Sequence, residues 1–266
     1  MNGRRRLLQA LLANALAPPA PGVHAAKPAL TEVRRREVRL GDTPVMLVES
    51  ERQPGGLRFV SVHENERTAV VAARRVLQWN AGRLIELRSR GQRLVTFWIG
   101  RSPHVFDPNR MFTDVGLEAT LRRHGSHTRA AHDAVVVLRN AVLETLADRP
   151  QQPVVALHNN GAGAYSIQQY LPGGAHVSDA SEVAVVPERA PDDFFLVTTL
   201  ALFATLKGAR FNVVLQASEP RDDGSLSVWF QHAKRPYINV EARHGRDAEQ
   251  ERMLQAIVDL IPPAAR

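Results

Sequence analysis

The chain has 266 residues, 44% of them hydrophobic, enough to bury the core of one α/β domain of ordinary size. No apolar run approaches the roughly 18–20 residues that cross a bilayer, so no transmembrane segment is expected. The net charge of +7 is almost entirely arginine, scattered along the chain rather than gathered into a basic stripe with interleaved aromatics, which speaks against a nucleic-acid partner. Cysteine is absent, so disulfides and thiolate chemistry are excluded and any metal must be held by histidine and carboxylate.

Residues 1–26 stand apart from the rest. Arg4-Arg5-Arg6 precede an apolar segment from Leu7 to Ala17, broken by Gln9 and Asn14, and a Pro-rich stretch ends in Val23-His24-Ala25-Ala26. A basic start, a short apolar segment and a small-x-small site read as a secretory leader. That leaves 27–266 as a single domain, placed in the periplasm or outside the cell; a cytoplasmic chain with an amphipathic N-terminal helix is the alternative.

Residues 43–49 and 57–62 read as buried strands around the turn Gln53-Pro54-Gly55-Gly56. Over 65–77 the spacing of Val70, Val71, Arg74 and Leu77 predicts a helix packed on a sheet. Strands are expected at 84–87 and 94–99, and 100–112, with Pro103 and Pro108, reads as a loop. Helices follow near 117–123 and 127–148, the second with an apolar stripe of Val135, Leu138, Val142 and Leu146. Residues 153–157 form the next strand, and 159–191, rich in Gly, Ser and Pro, a long irregular segment. Residues 194–207 read as a helix ended by Gly208, 213–216 and 226–230 as strands joined by Arg221-Asp222-Asp223-Gly224, 238–240 as a last strand and 248–260 as a closing helix. The alternation predicts an α/β fold: a mixed, mostly parallel central sheet flanked by helices on both faces, with one antiparallel pair.

Four polar signatures, three of them at the ends of apolar runs, carry the chemistry. His63 and Glu66 follow one strand, His158 follows a second and Glu241 a third, while Asn109 and Arg110 lie in the loop between. Side chains at the carboxyl ends of strands in an open α/β sheet meet in one crevice. Two histidines and a carboxylate suit a catalytic zinc ion, leaving a fourth position open. Glu241 is then the candidate general base, with an ion pair to neighbouring Arg243 as its structural alternative. Arg110 beside Asn109 is suited to clamping a substrate carboxylate through paired charge-assisted bonds, and its structural alternative is a salt bridge to Asp107 or Asp114.

This set resembles the zinc carboxypeptidase superfamily, and within it the aspartoacylase and succinylglutamate desuccinylase branch. His63-Glu64-Asn65-Glu66 is similar to H-G-N-E, Asp107-Pro108-Asn109-Arg110-Met111-Phe112 to D-x-N-R-x-F, and Leu157-His158-Asn159 to L-H-N; Ala233-Lys234-Arg235-Pro236 leads to Val240-Glu241 as in aspartoacylases. The resemblance implies a carboxypeptidase-like fold over 63–241. It also implies one zinc ion on His63, Glu66 and His158, carboxylate binding by Asn109 and Arg110, and Glu241 as catalytic base. An arginine that polarises the scissile carbonyl is matched nearest by Arg101. Glu64 departs from the family's glycine, and Gln231-His232 stands where aspartoacylases carry an arginine that reads an acidic side chain. No equivalent of the mobile carboxypeptidase tyrosine is assigned, though Tyr165 and Tyr170 lie in the long irregular segment.

The resulting expectation is a zinc-dependent hydrolase cleaving an amide bond in a small molecule or peptide with a free carboxylate, such as a murein peptide if the leader is real. Deacylation or desuccinylation of an N-acyl amino acid is the alternative within enzymes. A non-catalytic binder of carboxylate ligands on the same fold is the alternative outside them, and has no need of a general base.

Overall fold

The computed structural model describes residues 29–161, 163 and 165–261. The expected leader at 1–26 lies outside the described residues.

The chain begins with an antiparallel pair, β1 (Thr31–Leu40) and β2 (Thr43–Gln53), followed by β3 (Leu57–Ser61), α1 (Arg67–Leu77) and β4 (Gly82–Arg88). β5 (Val95–Ile99) and β6 (Ser102–Phe106) form a separate hairpin. α2 (Asp114–Arg123), α3 (Arg129–Thr145), β7 (Val154–Asn160), β8 (Ala180–Ala184) and β9 (Phe194–Val197) follow. α4 (Leu200–Gly208), β10 (Val213–Gln216), α5 (Leu226–His232), β11 (Tyr237–Arg243) and α6 (Asp247–Leu260) complete the described fold.

Nine strands form one sheet in the order β1-β2-β4-β3-β7-β11-β9-β10-β8. Its centre, β4-β3-β7-β11, is parallel, and antiparallel pairs lie outward of it. Side chains of alternate parity leave the two faces, so both faces of the central strands are apolar. Val60, Ile85 and Ala156 pack under α2, α3 and α5, while Phe59, Leu84, Val155 and Val240 pack under α1, α4 and α6. The expected mixed sheet with helices on both faces is observed, but in place of one antiparallel pair it has four among the described residues, β1–β2, β2–β4, β11–β9 and β10–β8, with a parallel β9–β10 pair outside the centre. No helix among the described residues is long and apolar enough to cross a membrane.

Several elements differ from the sequence reading for identifiable reasons. β1 carries Arg34, Arg35, Arg36 and Arg39 and buries only Val38 and Leu40, so it has no apolar alternation to read; charge is what an exposed edge strand tolerates. The expected loop at 100–112 contains β6, paired residue for residue with β5 around Gly100 at φ +58°. The expected irregular segment 159–191 contains β8, which pairs with β10. The expected helix at 194–207 is the buried strand β9 and then α4, divided where the Thr199 hydroxyl caps Leu202. A four-residue apolar run has too few residues for its period to show. The expected strand at 226–230 is the helix α5, whose start is set by Ser225 accepting from the Val228 amide. In α1 the buried stripe is Ala69, Ala72, Ala73 and Val76 with Leu77, and Val71 faces outward.

Candidate metal centre and its cleft

His63 sits two residues past β3, and Glu66 occupies the N-cap of α1 without using its carboxylate to cap the helix. The first-turn amide of Ala69 is taken instead by Asn159 Oδ1 at 3.0 Å, the residue that follows His158 in the sequence. Asn159 also binds Gln250, which in turn donates to the His158 carbonyl. Glu66 is thereby free to face two imidazoles. Its Oε1 lies 2.9 Å from His63 Nδ1 and its Oε2 2.9 Å from His158 Nδ1. The three offer ligand atoms that all lie within 4.8 Å of one another, and all three residues are buried.

The His63 contact is out of line for a hydrogen bond, leaving Nδ1 a buried nitrogen without a hydrogen-bond partner. The His158 contact, by contrast, is a hydrogen bond, and His158 Nε2 is the other buried ring nitrogen left without a partner. The other ring nitrogen of His63, Nε2, meets Asp107 Oδ1 at 2.7 Å, which fixes the ring and directs Nδ1 inward. Burial alone would depress His63, but Glu66 and Asp107 outweigh it and raise its pKa to about 8. Burial likewise opposes ionisation of Glu66, yet His158 and His63 hold it well below the usual carboxylate range. Two imidazole nitrogens and one carboxylate in a thiolate-free, buried cluster fit a divalent metal of the zinc type.

Glu241 stands opposite His158 in the β7–β11 register. Its side chain accepts from Asn239 Nδ2 at 3.1 Å, not from Arg243, which is exposed. Burial is the first cause raising its pKa above the ordinary value, and the nearby Glu66 adds to it, against the opposing pull of His158. A carboxylate so placed is a better proton acceptor than an exposed one.

A cleft of about 330 Å³ joins these groups to the remaining candidates. Glu66, His158, Glu241, Asn109 and Arg110 all line it. Asp107 N-caps the short turn Pro108–Arg110, and Asn109 Oδ1 accepts the Leu226 amide at 3.0 Å, tying this turn to the start of α5. Arg110 meets neither Asp107 nor Asp114 but lies 3.5 Å from Asp223 Oδ2, half-exposed and able to turn toward a ligand.

Arg101 is not brought to the cleft. It lies exposed on the β5–β6 turn, a position the sequence could not reveal while that hairpin was read as loop. The arginine beside the His-Glu-His cluster is Arg93, which the sequence reading missed: its Nη1 is 2.6 Å from Glu66 Oε1 and its Nη2 3.6 Å from Asp107 Oδ2. Glu64, noted only as a departure from glycine, accepts from the Ser89 and Gly91 amides at 2.6 and 2.7 Å and so anchors the loop leading to Arg93. Tyr165 and Tyr170 also line the cleft, packed on Phe194 with their hydroxyls bonded to each other.

The sequence matches no protein-family model and no curated protein. Distant matches are found among solved structures. An aspartoacylase family protein from Mesorhizobium loti is 13% identical, the match covering 90% of this chain and 70% of that one at a TM-score of 0.42. A protein described as a metallopeptidase from Shewanella denitrificans is 14% identical over 86% of this chain and 85% of that one, with a TM-score of 0.39. A protein described as a carboxypeptidase from Burkholderia mallei is 13% identical over 86% and 64%, with a TM-score of 0.40.

Proposed function

We propose that the protein is a zinc-dependent hydrolase of an amide bond in a small substrate, peptide or N-acyl amino acid, that carries a free carboxylate. The observation carrying this reading is the buried convergence of His63, Glu66 and His158, the last two lining the cleft that also holds Glu241 and Arg110. His63, Glu66 and His158 would hold the ion, which supplies a Lewis acid to the substrate carbonyl and acidifies an adjacent water. Glu241 takes the proton of the attacking water and delivers it to the departing nitrogen, a role suited to its buried, raised carboxylate. Arg110, within reach of the same cleft, binds the substrate carboxylate and fixes the scissile bond against the base. Arg93 places a fixed positive charge beside Glu66, where charge develops on the carbonyl oxygen. If the leader acts as such, the substrates are periplasmic or extracellular, and murein peptides supply carboxylate-bearing amides there.

The reading is tested by metal analysis and one isosteric substitution. The protein should carry about one zinc per chain, lost on His63→Ala or His158→Ala. Glu241→Gln should retain the zinc while turnover of amide substrates falls by roughly 10²–10⁴-fold. Zinc-replete protein that holds no metal would overturn the reading. An active Glu241→Gln variant would remove Glu241 from the mechanism, and a loaded but wholly inactive parent would favour the carboxylate-binding alternative.

A further inference from the structure

The turn between β3 and α1 carries the candidate ligands His63 and Glu66 and, between them, Glu64, which lines a separate hollow rather than the cleft. Arg67, Arg74 and Arg88 border that hollow, but Arg74 and Arg88 meet Glu86, and the groups bonded to Glu64 are two backbone amides. A single oxygen, Glu64 Oε2, accepts from Ser89 at 2.6 Å and from Gly91 at 2.7 Å. Among the described residues no other hydrogen bond reaches the backbone of 89–94, the connection from β4 to β5 that carries Arg93. Arg93 lines the cleft with its side chain 46% exposed, held to Glu66 at 2.6 Å and more distantly to Asp107.

A half-exposed arginine on a connection with so few bonds has many conformations open to it, and confining it to one costs both backbone and side-chain entropy. Glu64 offsets part of that cost, because amide bonds to a carboxylate are about twice as strong as neutral ones. Glu64 and Glu66 are two residues apart on one turn, so that turn fixes both the anchor of the connection and the group its arginine meets. We infer that Glu64 is a positioning residue: by fastening 89–91 to the ligand-bearing turn it keeps Arg93 against Glu66, where the guanidinium acts on the metal ligand and on the substrate carbonyl. The glycine that the resembling family carries at this place would leave the connection without its anchor. This inference rests on the amide-hydrolase reading for what Arg93 does to a substrate, but not for what holds Arg93.

Two substitutions isolate the anchor. Glu64→Gln and Glu64→Leu are equal in charge and close in size, and differ in the acceptor that the two amides need. Each is made with Arg93 present and together with Arg93→Gln. In chelator-treated protein Arg93→Gln should lower the melting temperature by about 2–4 °C beside Glu64→Gln, but by less than about 1 °C beside Glu64→Leu, where the guanidinium has already left Glu66. With Arg93 present, zinc should bind about 3–10-fold more tightly to Glu64→Leu than to Glu64→Gln, because a released cation no longer opposes the ion; with Arg93→Gln the two should bind alike. On an amide that the parent hydrolyses, kcat should be about tenfold lower for Glu64→Leu than for Glu64→Gln, with KM changed less than about threefold. Should Glu64→Leu fail to fold, Glu64→Ala also lacks the acceptor and takes its place. Leucine and glutamine variants that behave alike, or a difference between them that survives Arg93→Gln, would overturn the inference, the second by showing that Glu64 merely braces the loop. The melting-temperature cycle needs neither zinc nor turnover. A parent that binds no zinc or cleaves no amide would therefore sink the enzyme reading while that cycle still decides the role of Glu64.

Discussion

At the scale of single residues the molecule separates groups that hold one another from groups held ready for something else. Arg58 belongs to the first kind. It is fully buried and meets the carbonyls of Leu146, Arg149 and Gln152 and the Asp148 carboxylate, fastening the connection between α3 and β7. Arg110 belongs to the second, since its ion pair with Asp223 is long and half-solvated, and pairs of that sort contribute little stability. A guanidinium can grip a carboxylate through two parallel bonds that a lysine's point charge cannot copy. Arg110→Lys should therefore weaken hydrolysis of free-acid substrates by roughly 1–3 kcal/mol of transition-state binding. Amidated analogues should already be poor substrates of the parent and change little. Were Arg110 merely shaping its turn through Asp223, both substrate kinds would lose rate together and the melting temperature would drop with them.

At the scale of elements, what could be read from the sequence was set by how much of a signal is local. The long stripe of α3 and the buried strands β3, β7 and β11 announce themselves by period and by the turns around them, and the candidate metal ligands stand in or just past β3 and β7. His63, Glu66, His158 and Glu241 could therefore be picked out as candidates, and Asn109 and Arg110 by their own short motif in the turn after β6. Arg93 was not, because it reaches Glu66 through a loop fastened by Glu64 over a separation no short motif records. Nor was α5, about two capped turns beside a Gly-containing turn, which reads equally well as a strand. That turn holds the clamp together. Gly224 has φ +78°, and a Cβ there would fall 2.4 Å from the Arg110 carbonyl and 2.6 Å from Gly116 Cα. Gly224→Ala should destabilise the protein by about 2 kcal/mol or more, since both backbone strain and a backbone clash oppose it. Because it displaces Arg110 and Asn109 together, it should also raise KM for free-acid substrates. An unchanged melting temperature would mean that the α2 and α5 termini slide apart at no cost.

At the scale of the whole molecule, the parallel centre of the sheet brings together residues nearly 180 positions apart in sequence, and what it brings together is acidic. Glu66, Asp107 and Glu241 gather around two histidines, with Arg93 the cation that meets two of the three. Burying carboxylates at this density is unfavourable without positive charge, which Arg93 and a protonated His63 supply here and which a bound dication would supply on the proposed reading. If the cluster binds zinc as proposed, folding and metal binding are linked, because a site assembled from β3, β7 and the start of α1 does not exist in the unfolded chain. Free zinc at a thousandfold excess over its dissociation constant should stabilise the native state by about 4 kcal/mol, which for a domain of this size raises the melting temperature by roughly 10 °C. Calorimetric scans of the parent with zinc and with excess chelator read that difference directly. His63→Ala should show the chelator-treated melting temperature under both conditions, since it lacks the nitrogen that Asp107 directs into the cluster. Arg93→Gln should lower the metal-free melting temperature more than the zinc-loaded one, because the guanidinium offsets acidic charge that the ion would otherwise neutralise. A parent whose transition is indifferent to zinc would show that the histidines and Glu66 form only a hydrogen-bonded core, in which case the cleft is a binding pocket without its catalyst.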